Sequence, residues 1–589
     1  MTDQQSSASR GRHRTSGTRA RTFTIVGVVV ALVAAAGVVT WLVRSGSADT
    51  TSTATGAADA TVGSVTSVAA TATGSATDGT DCGLPGDALT VAASPDIAPT
   101  LTTTVAGLDL TAAGCPVRIE PAEPARVVDG SVDASVWIPD SSIWLPRAAA
   151  EGVTVGQDAR SIATSPVVFA LSGQAVRQLS AAGGSTDVAG ILATRKTAAP
   201  IRVGLPDPEL SAAAVAAVLA ARSSVSGAAD ARAALTWGVR SSPENLPVGD
   251  AELLGRLSAD PGTALPVTER ALIAYNDEHA GDPAHAVYPG QGGFALDYPV
   301  VALGSDPAVV AATAELVGAL TSDEVRSALQ EAGFRAPDQS AGASITAANG
   351  VDPARVDSGG PPSVQAVDDA IRSVQVTNEA SRTLAVMDIS GSMLAMVPGS
   401  GGADRISLAK DAAALGLGLY RADSDIGLWE FSTNLTPTSD HRELIPISSL
   451  GPDGQGGTGA ARLAAALDGL AALPNGDTGL YDTVVDATRA VRSGWDPERV
   501  NAVLILTDGM NDDDNSITLE QLLSTLATEQ DPAKPVPVIS IAFGPDSDVT
   551  SLQQISRATG GATYLSQDPR QIGEIFLDAV GQRLCRPSC

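Results

Sequence analysis

Residues 384–392 read Leu384-Ala385-Val386-Met387-Asp388-Ile389-Ser390-Gly391-Ser392. The unbroken apolar start is the pattern of a strand buried on both faces, and it runs into a carboxylate. The D-x-S-x-S string then puts one carboxylate and two hydroxyls in a tight loop just past the strand end. Oxygen-only sets of this kind suit a hard divalent cation. The alternative is a loop whose Asp and Ser merely cap the following turn. Partners elsewhere in the chain decide between the two.

Two lie downstream. Leu480 to Arg492 (LYDTVVDATRAVR) has helical periodicity, and Thr478 stands just ahead of it in the loop PNGDTG. Val500 to Gly509 (VNAVLILTDG) is a continuous apolar strand ending on Asp508. Open α/β sheets bind ligands outside the carboxyl ends of their parallel strands, and Asp388, Thr478 and Asp508 all fall there. Thr458, in GQGGTGAARLAAAL, also precedes a helix. Thr478 is preferred because its helix leads directly into the strand that carries Asp508. Asp512, Asp513 and Asp514 follow that strand and read as a solvated loop, with a second cation site as the alternative.

Loops supplying Asp/Ser/Ser, Thr and Asp in this order resemble the metal-ion-dependent adhesion site (MIDAS) of von Willebrand factor type A domains. The resemblance spans about Ser381 to Leu584. It includes the alternation of strand 383–388, helix 405–421, strand 425–431, helices 459–472 and 480–492, strand 500–507, helix 518–529 and strand 536–543. A helix, a short strand (Ala562 to Ser566) and a closing helix complete it. The resemblance implies a doubly wound, Rossmann-like domain whose metal ligands are Asp388, Ser390, Ser392, Thr478 and Asp508. The serines and the threonine would approach the ion directly, and the aspartates partly through water. Magnesium takes six oxygens at about 2.0–2.1 Å and keeps some as water, and manganese or calcium are the other candidates. With few carboxylates bound directly, the ion keeps an open position for an acidic group of a partner.

At 589 residues the chain is too long for one domain. Its formal charge is −29, which argues against phosphate-backbone binding and hence against a nucleic-acid partner. The first 21 residues are the exception, with Arg10, Arg12, Arg14, Arg19 and Arg21 against only Asp3, and they read as a cytoplasmic basic tail. Phe23 to Val43 has no charged residue and is long enough for one helical span of a hydrocarbon core roughly 30 Å thick. The preceding arginines place the amino terminus on the cytoplasmic side. Residues 22–44 thus read as a transmembrane signal anchor of a cell-membrane protein whose later domains are extracellular. A cleaved signal peptide, usually with a shorter apolar region, is the competing reading. Abundant alanine and arginine suggest a bacterial source. Residues 45–80 form a Ser/Thr/Ala/Gly tract unable to build a core, a disordered stalk.

Cys82, Cys115, Cys585 and Cys589 all lie on the exterior side and permit three pairings, of which Cys82–Cys115 with Cys585–Cys589 is the simplest. An oxidising exterior favours disulfides, and the spacing lacks the paired units of a thiolate metal site.

Residues 81–345 read as a second α/β segment. Ala88 to Ala93 is a strand ending at Ser94-Pro95-Asp96, Asp133 to Pro139 is a second, and Ser165 to Leu171 is a third. Ala286 to Leu303 holds two strand segments around a glycine-rich turn, followed by helices near 307–320 and 322–332 and the string GFRAP. This order resembles two-lobed, type II bacterial extracellular solute-binding proteins, most of all the variant found in membrane-anchored actinobacterial proteins. The resemblance implies two lobes closing over a small solute. Ser94, Ser165 and Tyr288 are the candidate cleft residues, and helix capping by Ser94 and Asp96 is the competing role. Residues 346–380 are assigned as a linker and 585–589 as a cysteine-bearing tail.

Function is read first as a membrane-anchored binding or adhesion protein, and alternatively as a solute sensor or uptake component. An enzyme is the weakest reading. Only His13, His279, His285 and His441 occur, none with zinc-type spacing, and no G-x-S-x-G elbow sits at a strand-to-helix junction.

Overall fold

The computed structural model describes Leu84, residues 87–566 apart from 109–110, 226–227, 355–359, 398–399, 455 and 545–546, and then Ile575, Leu577 and Asp578. Everything below lies within the unit Gly79–Cys589. The basic tail, anchor and stalk, and Cys82, Cys585 and Cys589, lie outside the described residues. Among the described residues no helix is long and apolar enough to cross a membrane. Cys115 is fully buried and disulfide-bonded, its partner lying outside the described residues.

The C-terminal part is built on a sheet of six described strands. Their order is Ser439–Ser449, Asp425–Thr436, Ser381–Asp388, Val500–Thr507, Val538–Phe543, Thr563–Ser566. All neighbours run parallel except the first pair. The central strands are apolar throughout because both faces are covered. Ile406, Ala409, Ala412, Leu463 and Leu467 pack on one face, and Leu480, Val484, Val491, Leu522 and Leu552 on the other. Register decides the rest: Met387 pairs with Leu506 and Asp388 with Phe431. Asp388 and Asp508 therefore emerge together at the carboxyl edge of the sheet.

Several elements differ from the sequence reading, among them the helix expected at 459–472, which ends at Asp468. Ser439–Ser449 is an eleven-residue edge strand, half-exposed, polar over its first five residues and then carrying Leu444, Ile445 and Ile447, without the regular alternation that marks a strand. Its partner accordingly runs on to Thr436 instead of ending near 431. Helix 405–421 stops at Leu417, where Gly418 takes the C-cap.

Residues 89–335 form two lobes. One sheet has the order Thr111–Ala112, Cys115–Pro121, Leu89–Ala93, Val136–Ile138, Pro299–Ala302, Arg160–Ser161. The other has Ala295–Leu296, Ser165–Leu171, Thr263–Thr268, Arg202–Val203, with His285–Val287 also on Ser165–Leu171. The two expected late helices are Pro307–Leu320 and Asp323–Glu331. A buried ion pair lies at the end of this region: Arg335 Nε meets Glu269 Oε2 at 2.6 Å and Nη2 meets Oε1 at 2.8 Å, with both side chains essentially inaccessible.

The segment 346–380, assigned as a linker, holds the helix Val364–Asn378. Its Val367, Ala370, Ile371 and Val374 join an apolar core with the helices Ala212–Ser224 and Ala228–Arg240, and Ser363 caps it by accepting from Ala366 N. Those spacings are a helical stripe that the sequence already displays.

Candidate metal centre

The loop after Ser381–Asp388 is stitched down by its backbone. Gly391 N donates to Gly476 O at 2.8 Å, and Leu473 N donates to Ile389 O at 2.8 Å. A Cβ at Gly391 would meet Pro474 O at 2.9 Å, so the close approach needs glycine. The second loop is fixed in turn, with Thr433 N on Asp477 O at 3.0 Å and Asp512 N on Thr478 O at 2.8 Å. Packing between strand ends, more than local propensity, sets where the hydroxyls point.

The five residues expected as ligands come together. Ser390 Oγ lies 2.9 Å from Ser392 Oγ, and Ser392 Oγ donates to Asp508 Oδ1 at 2.7 Å. Asp388 Oδ1 accepts from Ser390 N at 2.8 Å, while Oδ2 accepts from Thr507 Oγ1 at 2.5 Å. Thr478 Oγ1 closes the group, since a Cβ built on Gly509 would sit 3.3 Å from it and 3.8 Å from Ser392 Oγ. A small open space rimmed by hydroxyls is thus kept clear by the absence of a side chain at 509. Asp388, Ser390, Thr478 and Asp508 are buried, whereas Ser392 is exposed at the mouth.

Thr458 has a different task. It is the N-cap of Gly459–Asp468, accepting from Ala461 N at 3.1 Å, and it is exposed. Asp513 meets two carboxylates that sequence reading missed, Asp440 of the edge strand and Asp482 of the Leu480–Ser493 helix. Oxygens of the three lie within 4.8 Å of one another.

Electrostatics fit a cation. Burial pushes the Asp388 carboxyl up to about 6, hydrogen bonds from Ser390 and Thr507 oppose the rise, and the charge of Asp508 adds to it. Asp508 has a guanidinium partner, with Arg405 Nη1 donating to Oδ2 at 2.6 Å. Arg405 was also missed: it opens a helix 103 residues away in sequence, and nothing local marks the pairing. Two buried carboxylates and one buried guanidinium leave negative charge facing neutral hydroxyls. The donor set is all oxygen, and a divalent cation would be held there by Ser390, Ser392 and Thr478, with Asp388 and Asp508 behind them.

In the two-lobed part the cleft candidates separate. Ser94 lines the space between the lobes. Ser165 does not: its Oγ accepts from Arg270 N at 3.1 Å, at the start of the Glu269–Glu278 helix. Tyr288 also stands elsewhere, its hydroxyl donating to Glu269 Oε1 and accepting from Asp352 N at 2.9 Å. Both serve the buried network around Glu269 and Arg335, because a polar group at such depth must find a partner.

Residues 89–335 match the family model for bacterial extracellular solute-binding proteins, and residues 456–565 match that for von Willebrand factor type A domains. The chain carries both domains. The second match begins after the loop that holds Asp388, Ser390 and Ser392. No curated protein matches the chain. Among solved structures, a von Willebrand factor type A protein from Catenulispora acidiphila is 20% identical over 35% of this chain and 43% of its own, with a TM-score of 0.27. Proximal thread matrix protein 1 from the mussel byssus, in a structure with a zinc-occupied MIDAS motif, is 16% identical over 38% of this chain and 53% of its own, with a TM-score of 0.27. The sulfate-binding protein SubI from Mycobacterium tuberculosis H37Rv is 21% identical over 43% of this chain and 86% of its own, with a TM-score of 0.34. The chain thus spans less than half of the Catenulispora protein and about half of the mussel protein.

Proposed function

We propose that this chain is a membrane-anchored binding protein of the cell exterior whose type A domain holds an acidic group of a partner through a divalent cation. The observation that carries this is the meeting of Ser390, Ser392, Thr478 and Asp508 around the space beside Gly509, with Asp388 buried behind them. When bound, the cation supplies a positive centre with an exchangeable position for an incoming carboxylate. The chain's own residues orient it: Ser390 N fixes Asp388, Arg405 fixes Asp508, and the Ser392 hydroxyl stands at the exposed mouth. Holding is favoured over hydrolysis, because both carboxylates are already engaged by protein donors.

A charge of −29 supplies a direct test. A carboxylate-bearing resin repels so acidic a chain. The whole chain is expected to be retained on that resin in magnesium or manganese and released by chelator, while Ser392→Ala and Asp388→Asn variants run through. Equal retention of wild type and both variants overturns the reading.

A further inference from the structure

The space between the two lobes of residues 89–335 is lined unlike the metal centre. Ser94 and Asp96 follow the Leu89–Ala93 strand, Glu123 follows Cys115–Pro121, and Asp140 follows Val136–Ile138. These three strands run parallel, so the residues share the carboxyl edge of the first sheet, where such folds place ligands. From the second lobe come Ser211, Asp250 and Thr268. The cleft has a volume of about 80 Å³.

Three of the four carboxylates are held in place by donors at one oxygen. Tyr298 Oη donates to Asp96 Oδ2, and Trp144 Nε1 donates to Asp140 Oδ1 at 2.6 Å. Thr268 donates to Asp250 Oδ2 from its N at 2.8 Å and from its Oγ1 at 2.6 Å. Ser94 adds an independent observation. Only 2% exposed, it lines the cleft, and its hydroxyl makes no hydrogen bond among the described residues. A hydroxyl so placed can bond only to what fills the cleft.

We propose that this cleft binds a small organic cation, an amine or guanidinium compound, and rejects oxyanions. Four carboxylates face the space, and the nearby guanidinium, Arg270, acts on Asp96 and Asp250 from beside the Phe334 ring without lining the cleft. Among the described residues no cationic side chain lines the cleft to receive sulfate or phosphate, and each carboxyl that ionises there repels them. The hydroxyls do not reverse this, because Ser211 and Thr268 already cap helices, accepting from Ala214 N and Ala271 N. A bare divalent ion fits poorly. Asp96, Asp140 and Asp250 do not gather within 4.8 Å as the Asp440, Asp482 and Asp513 carboxylates do. Carboxylates spread around a cleft suit a ligand with several N–H donors, as ammonium and guanidinium groups have. Burial pushes Asp140 well above the usual carboxylate range and Asp250 up to about 6, a cost that a bound cation relieves.

The test is calorimetric and thermal titration of the whole chain with agmatine, putrescine, calcium chloride and sodium sulfate, each in turn. Agmatine or putrescine is expected to bind at one site and raise the melting temperature, and sulfate to do neither. Asp140→Asn should weaken that binding by about tenfold or more, as loss of a charge-assisted hydrogen bond does, and Ser94→Ala by a few-fold. If Asp140→Asn fails to fold, Glu123→Gln and Ser94→Ala carry the comparison. Sulfate binding, calcium binding that Asp140→Asn abolishes, amine binding undiminished in every variant, or no amine binding at all would each overturn the proposal. Asp388→Asn should leave amine binding intact, so this result stands apart from that of the metal centre.

Discussion

Arg405 and Ser392 grip the two oxygens of one carboxylate: Nη1 of Arg405 reaches Asp508 Oδ2 at 2.6 Å, and Oγ of Ser392 reaches Oδ1 at 2.7 Å. The Arg405 side chain is 11% exposed and that of Asp508 inaccessible, so the pair is a buried one. Breaking such a pair from one side costs about 3–5 kcal/mol, since it strands a buried charge. Arg405→Ala is therefore expected to lower thermal stability sharply in chelator. Magnesium should then raise its melting temperature more than it raises that of wild type, because the cation is left as the main counter-charge to Asp388 and Asp508. Melting curves with and without magnesium check this, and an equal magnesium response in both proteins counts against it.

The two threonines should behave oppositely. Thr478→Ala removes an oxygen from the metal centre and is expected to abolish the magnesium-dependent rise in melting temperature. Thr458→Ala removes an exposed N-cap, which costs about 1 kcal/mol and leaves the magnesium response intact. A magnesium response lost in Thr458→Ala instead would reverse the assignment.

Gly509→Ala probes the space itself. The added Cβ meets no backbone closely, its nearest neighbours being Thr478 Oγ1 at 3.3 Å and Ser392 Oγ at 3.8 Å. The fold should survive, and cation binding should fall by an order of magnitude or more. Manganese titration followed by calorimetry reads this directly, and unchanged affinity would place the ion elsewhere.

Much of this centre was legible in the chain. An apolar run ending on Asp388 and another ending on Asp508 mark strand ends by hydrophobicity alone, and parallel pairing brings strand ends to one edge. Thr478 followed from the order of helix and strand. Arg405 was not legible, because an ion pair 103 residues apart leaves no periodic trace. Nor was Asp440, which sits in the edge strand Ser439–Ser449. Exposed on one side and held by a single neighbour, that strand needs no apolar alternation. Ser165 and Tyr288 were read as cleft residues from their positions near strand starts. Their partners, Arg270 N and Glu269, come from a helix more than a dozen residues away. The helix Val364–Asn378 is a different case: its apolar stripe and Ser363 cap were present in the sequence, inside a segment taken for a linker.

Stability should depend on pH through buried carboxyls of both sites, Asp388 in the candidate metal centre and Asp250 in the cleft, of which Asp250 can be tested alone. Burial raises Asp250 from 3.8 to about 6 in the folded chain, despite the opposing bonds from Thr268. Between those values the folded state binds more protons than the unfolded one, so stability falls as pH rises through about 4 to 6. A carboxyl raised from 3.8 to about 6 sets the effect at up to about 3 kcal/mol. Asp250→Asn is expected to flatten that part of the profile, with its largest gain over wild type above pH 6. Denaturant unfolding at pH 4, 5, 6 and 7 measures this, and parallel profiles for the two proteins would refute it.

The Glu269–Arg335 pair answers differently from either ligand site. Both side chains are buried, Arg335 Nη2 also donates to Asp352 O at 2.8 Å, and Tyr288 donates to Glu269. The pair ties the Glu269–Glu278 helix to the end of the two-lobed domain and to residues 352–353 beyond it. Glu269→Ala leaves the guanidinium buried and unpaired, for a loss of about 3–5 kcal/mol. Tyr288→Phe removes one hydrogen bond from the network and should cost about 1–2 kcal/mol. Neither substituted side chain lines the cleft or the candidate metal centre, although Glu269 follows the lining residue Thr268 in the chain. Both variants, at temperatures where they remain folded, should therefore bind agmatine and magnesium with wild-type affinity. Calorimetry on the folded variants separates this outcome from a ligand role, since a Tyr288→Phe protein of normal stability that had lost agmatine binding would return Tyr288 to the cleft.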